Sequence, residues 1–172
     1  MRRYLIPFAL VVAATPALAD TRYFAFDASD RITTALTRGI TLEVDRGLFG
    51  AVSVRRIIST SARGSASITR GGPDEARRAL PEGAGESTVY SIVQEGDGRG
   101  LARALCPGSD ATFLVLGHVR AARPVTMHAV GRWPGDQFRH CVALSYDYRG
   151  EWALPLRSTG GGSEGSLAPT RQ

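Results

Sequence analysis

The chain predicts an antiparallel all-β domain, either a sandwich or a barrel, carrying one or two short helices. Three observations carry that expectation. Six to eight short segments alternate or concentrate β-branched and aromatic residues, turn signals separate them at close intervals, and few stretches hold apolar residues at helical spacing. An α+β arrangement is the alternative, since Leu101–Cys106 also suits a helix.

Tyr23–Phe26 suits a short strand. Ser29 and Asp30 are cap residues, Ile32, Ala35 and Leu36 follow at helical spacing, and Arg38 and Gly39 form a stop. Three threonines weaken this helix, because β-branched side chains lose rotamer freedom there. Ile40, Leu42 and Val44 alternate with Thr41, Glu43 and Asp45, the pattern of a half-buried strand. After a turn at Asp45–Gly47, a second strand runs from Phe49 to about Thr60, completing a hairpin.

Residues 59–74 and 81–88 are rich in Ser, Gly and other turn formers. Between them, Pro73, Asp74 and Glu75 open a one- to two-turn helix that Arg77 and Arg78 close, with charges that complement the helix dipole. Thr88–Val93 reads as a strand, broken by the glycines at 96–100. Leu101–Cys106 fits either a helical turn or a strand before Pro107–Gly108 ends it. Ala111–Val119 is a continuous apolar run, suited to a strand buried on both faces. Pro124–Val130 and Phe138–Tyr148 flank a strong turn at Arg132–Asp136, and Trp152–Leu156 suits a closing strand. On the Phe138–Tyr148 strand, strict alternation places His140, Val142, Leu144, Tyr146 and Tyr148 on one face and Cys141 on the other.

The first nineteen residues have the three-part layout of a secretory signal peptide. Arg2 and Arg3 give a positive start, Leu5–Ala14 an apolar run, and Ala17-Leu18-Ala19 a small-x-small cleavage pattern before Asp20. The apolar run falls short of the roughly 20 residues of a membrane span. The expected organisation is a signal peptide at 1–19, one globular β-rich domain at 20–157, and a Gly/Ser tail at 158–172 that should lack order. The expected location is the periplasm or the exterior. The chain contains no lysine and no asparagine among its 172 residues, a bias that fits a GC-rich bacterial genome. It also excludes Schiff-base lysines, Ser-Lys dyads, P-loop lysines and Asn-linked glycans.

Formal charge is +5, but Arg2 and Arg3 leave with the signal, so 19 basic residues then face 16 acidic ones. The arginines are scattered and not interleaved with aromatics, which argues against a nucleic-acid partner. Nor does a further apolar stretch suggest a transmembrane segment. Cys106 and Cys141 are the only two cysteines. In an exported chain an even pair reads as one disulfide, worth roughly 3.5–4 kcal/mol by the loop-entropy relation.

Candidate chemistry is thin. His118, His128 and His140 fall in three consecutive predicted strands and are weak candidates for a metal site, without the His-x-His spacing that strand-borne sites favour. Blue-copper spacing after Cys141 is missing. Ser109 sits on a turn without the G-x-S-x-G elbow, and reads as a turn cap. Glu43 and Asp45 would share a strand face, as a carboxylate pair or simply as a solvated edge. Tyr146, Tyr148, Arg149 and Trp152 form the densest polar-aromatic cluster and are a possible binding patch. The residues assign no catalytic role and no cofactor.

The reading that results is an exported β-domain with a non-enzymatic binding, structural or accessory role, partnered by an unknown envelope protein or cell-wall component. A small envelope hydrolase acting on a carbohydrate or ester is one alternative, and a histidine-based metal-binding envelope protein another.

Overall fold

A computed structural model describes residues 20–47 and 52–153. The segments expected to be a signal peptide (1–19) and a tail (158–172) fall outside them, as do residues 49–51, where the second hairpin strand was expected to start. Eight antiparallel strands follow one another around a closed barrel, each paired with its neighbour in sequence and the last with the first. They are β1 (Asp20–Ala28), β2 (Gly39–Arg46), β3 (Val52–Ser59), β4 (Ser65–Arg70), β5 (Thr88–Ile92), β6 (Ala111–Leu116), β7 (Val125–Trp133) and β8 (Gln137–Trp152). Three short helices occupy the connections: α1 (Arg31–Leu36), α2 (Asp74–Arg78) and α3 (Gly98–Leu105). Of the sandwich and barrel forms, the chain adopts the barrel.

Alternation sends one side of every strand inward. Phe24, Phe26, Ile40, Leu42, Ile57, Leu114, Leu116, Met127, Leu144 and Tyr146 are all fully buried there. Eight strands enclose a space that side chains just fill, and these large residues fill it. Each fully buried apolar side chain contributes roughly 1.5–3 kcal/mol of transfer free energy. The outer face of β2 and β3 instead carries Glu43, Asp45, Arg55 and Arg56. An apolar interior with a charged exterior is the reverse of a transmembrane barrel. Among the described residues no helix is long and apolar enough to cross a membrane.

Three irregularities bend the strands so that the barrel closes. Arg55 is the extra residue in β3 against β2. Cys141 is the extra residue in β8 against β7, and Arg149 the extra one against β1. Arg55 and Arg149 point to solvent and pair with Asp45 and Asp27.

The connections β1–β2, β3–β4 and β5–β6 share one end of the barrel. There α3 inserts Leu101, Ala102 and Leu105 into the core, and Cys106 beyond it forms the disulfide with Cys141. On the other side of the same end, α1 is tied by hydroxyl groups. Asp30 caps it by accepting from the Thr33 backbone N–H at 2.8 Å. Buried Thr37 shares a 3.0 Å hydrogen bond with the Tyr146 hydroxyl, and Ser59 Oγ donates to the Thr37 carbonyl. Thr33 Oγ1 accepts from the Ser145 backbone N–H of β8, just past the point where β1 stops pairing with it.

Several expectations are corrected. The Ser/Gly-rich stretch 59–74 contains strand β4, whose Ala66 and Ile68 point inward while Ser67 and Thr69 face water. Small polar residues on the outer face had disguised the alternation. The described residues contain three helices rather than one or two, and the glycines at 98 and 100 begin α3 rather than merely breaking the chain. Gly98 is needed there because a Cβ would stand 2.1 Å from the Val93 carbonyl oxygen. In α1 the buried face is Thr33 and Thr37, while Ile32 is 58% exposed. The left-handed residue ending α1 is Arg38, at φ 59°, not Gly39. Finally, the expected closing strand from Trp152 begins as the end of β8, which is 16 residues long.

Candidate functional site

The 71–87 connection between β4 and β5 crosses the outside of the barrel. Its α2 lays Ala76 over outward-facing Phe113, Val115 and Val130, with Phe138 and Leu80 alongside. This second apolar layer explains why β6 is buried on both faces, as its continuous apolar run predicts. Farther along the same connection, Glu86 folds down onto β7.

There Glu86, His128 and His140 form a hydrogen-bonded row. His128 lies on β7 between inward-facing Met127 and Ala129, so it points outward under Glu86 and is 6% exposed. Its Nε2 donates to Glu86 Oε2 at 3.1 Å. A carboxylate can only accept, so in a neutral imidazole this leaves Nδ1 as the acceptor. His140 Nε2 stands 3.0 Å from that Nδ1 and completes the row. The rings are tilted by 55° with centroids 5.1 Å apart. Burial lowers the His140 pKa, and His128 lowers it further, while a hydrogen bond with the Val142 backbone opposes both.

The bulge in β8 makes this meeting possible. Strict alternation would put His140 on the face of Leu144 and Tyr146, inside the barrel. Because Cys141 is the extra residue, Ala129 pairs with Val142 while Val130 pairs with His140. The alternation resets, so His140 turns outward to His128, and Cys141 and Val142 both pack against the core. One inserted residue thus positions the disulfide and the histidine pair together.

His118 does not join them. β6 ends at Leu116, so His118 lies in the exposed β6–β7 connection rather than on a strand. The described residues contain no cluster of three or more potential metal ligands, and Glu86 engages His128 through the nitrogen that faces away from His140. Cys106 and Cys141 are bonded to each other, with Cα atoms 5.4 Å apart.

The proposed polar-aromatic patch is divided. Tyr146 is buried inside the barrel, where burial raises its hydroxyl pKa far above the ordinary tyrosine value. Tyr148 is half-buried, edge-on to Phe24 and Phe26. Only Arg149 and Trp152 reach the surface, where they line a shallow groove with Asp27, Thr41 and Thr60. Trp152 stacks on Tyr23 at 6.2 Å and 11°. Glu43 and Asp45 lie on the outer face of β2 beside Arg56 and Arg55 respectively. Ser109 Oγ donates to the Cys106 carbonyl at 2.9 Å and bonds Thr112, so it holds the turn after α3.

The sequence marks His128 and His140 as residue types but not Glu86, which sits in a Gly-containing segment 42 residues before His128. No local pattern marks it. Comparison of the chain with known protein families, with curated proteins and with solved structures finds no match in any of the three.

Proposed function

We propose that this chain is an exported, periplasmic binding, structural or accessory module of a bacterial envelope that acts through its outer surface and catalyses no reaction. One observation carries this reading: the barrel interior is occupied by the chain's own large side chains, among them Phe24, Phe26, Met127 and Tyr146. A partner therefore has the outside of the barrel to bind. The disulfide suits an oxidising compartment, in keeping with the signal-peptide layout of residues 1–19. For the hydrolase alternative a nucleophile would have to stand beside the base. The hydrogen-bond partners of the histidine pair are each other, Glu86 and the Val142 backbone, not a serine or threonine hydroxyl.

Expression in a bacterial host tests both parts. Protein recovered from the periplasm should begin at Asp20, resist thiol alkylation until reduced, and sediment with isolated envelope fractions. Weakened sedimentation in an Arg149→Ala, Trp152→Ala double variant would place the binding face. Cytosolic protein starting at Met1 would overturn the export reading. Turnover of model esters or glycosides lost on His128→Ala would overturn the non-enzymatic one.

A further inference from the structure

We propose that His128 Nδ1 and His140 Nε2 together bind one divalent transition-metal ion of the zinc, copper or nickel class, with Glu86 as the carboxylate that orients His128. This site goes beyond the envelope-binding role and stands independently of it.

The distances fit. Imidazole nitrogens bind such ions at about 2.0–2.1 Å, so two of them on one ion stand about 2.9 Å apart at a right angle and about 3.3 Å apart at the tetrahedral angle. The observed separation is 3.0 Å, between the tetragonal and tetrahedral values. The tautomers fit as well. Donation from His128 Nε2 to Glu86 leaves Nδ1 with a lone pair aimed at His140. That is the carboxylate–histidine–metal arrangement in which the outer carboxylate fixes the ring and raises its basicity. His140 offers its own Nε2 lone pair when its ring proton resides on Nδ1, so the proton between the rings moves to the far nitrogen of the same ring, and a small turn of both rings lets the two lone pairs meet on an ion held to one side of the line between the nitrogens. No proton is lost from the protein in that exchange.

The surroundings are built to hold this geometry. His128 is pinned between the barrel wall and the 71–87 connection, and His140 is set by the Cys141 bulge, which the disulfide anchors. Ala143, opposite His128 on β8, is small and exposed. His140 is the more exposed of the pair, so water or a partner's ligand would complete the coordination from its side. A bound ion would also tie β7, β8 and the connection bearing Glu86 together on the outer face.

The test uses the purified mature protein without a polyhistidine tag, titrated separately with Zn(II), Ni(II) and Cu(II) by calorimetry. One saturable equivalent is expected for at least one ion. His140→Ala and the bulkier His140→Gln should each weaken it at least about tenfold, and Glu86→Gln about 10–100-fold, while His118→Ala should leave it unchanged. Electron paramagnetic resonance of the Cu(II) form should show coupling to two imidazole nitrogens in the parent and one in His140→Gln. Circular dichroism and intact disulfide in each variant exclude misfolding as the cause. The absence of saturable binding to the folded parent, undiminished binding in both His140 variants, or loss in His118→Ala would each overturn the site.

Discussion

Helices α1 and α3 close the same end of the barrel by opposite chemistry. α3 is an apolar plug: Leu101, Ala102 and Leu105 enter the core and Cys106 staples its end to β8. α1 presents hydroxyls: Thr33 and Thr37 are buried, and their contacts run to Ser145, Ser59 and Tyr146. Its single large aliphatic side chain on the N-terminal turn, Ile32, is left in water. The β3–β4 turn lies between them, bonding α1 through Ser61 Oγ to the Leu36 carbonyl and touching α3 where Gly64 meets Asp97. Apolar burial is non-directional and tolerates repacking, whereas hydrogen bonds fix angles and lose their value when one partner goes. The α3 side should therefore supply most of the stability of this end, and the α1 side most of its geometric definition.

That contrast can be broken experimentally. Removing the staple with Cys106→Ala and Cys141→Ala should cost the most, roughly 3.5–4 kcal/mol for a separation of 35 residues. Denaturant unfolding of the parent with and without reductant should show the same loss. Leu101→Ala should cost about 3 kcal/mol through lost transfer energy and a residual cavity. A loss below about 1 kcal/mol would mean that α3 is not the apolar plug described.

On the hydroxyl side the effects should be smaller. Tyr146→Phe removes one buried hydrogen bond and should cost about 1 kcal/mol. It should also change the pH dependence. Because burial raises the folded-state pKa of Tyr146, its contribution is present in full below the unfolded value of about 10 and falls away as pH rises above it. The parent should lose stability on that alkaline limb, and Tyr146→Phe should flatten it in pH-dependent unfolding curves.

Asp30→Ala should cost about 1 kcal/mol by uncapping α1. The Thr33 side-chain and backbone hydrogen bonds hold the Asp30 carboxyl below its ordinary range. Its contribution is then present above the unfolded carboxylate pKa and lost as pH falls through the folded one. Smallest of all, Ile32→Ser should stay within about 0.5 kcal/mol, as exposed substitutions do. A cost comparable to that of Leu101→Ala would erase the distinction between the two helices.

Legibility in the sequence followed the same chemical line. β6 was plain because its apolar run is continuous, and β2 because Ile40, Leu42 and Val44 alternate without interruption. The spacing of the two cysteines said little about geometry, yet their even count and the expectation of export sufficed to pair them. β4 was hidden because serine and threonine occupy its outer face, a composition shared with loops. The buried face of α1 was hidden because threonine is not counted as a core residue, though it can be one when its hydroxyl is bonded. For the candidate site, His128 and His140 stood out as residue types, but neither their meeting nor Glu86 could be read. Their contact depends on the Cys141 bulge, which alternation cannot anticipate, and on a carboxylate carried in by a distant connection.

The sequence by itself determined the all-β class, the disulfide partners and most strand positions, because period-two patterning and turn chemistry act over a few residues. Tertiary structure alone decided that the sheet closes, which way His140 points and what stands beside His128. Closure and register are set by pairing between segments far apart in the chain, and one bulged residue reverses every face beyond it.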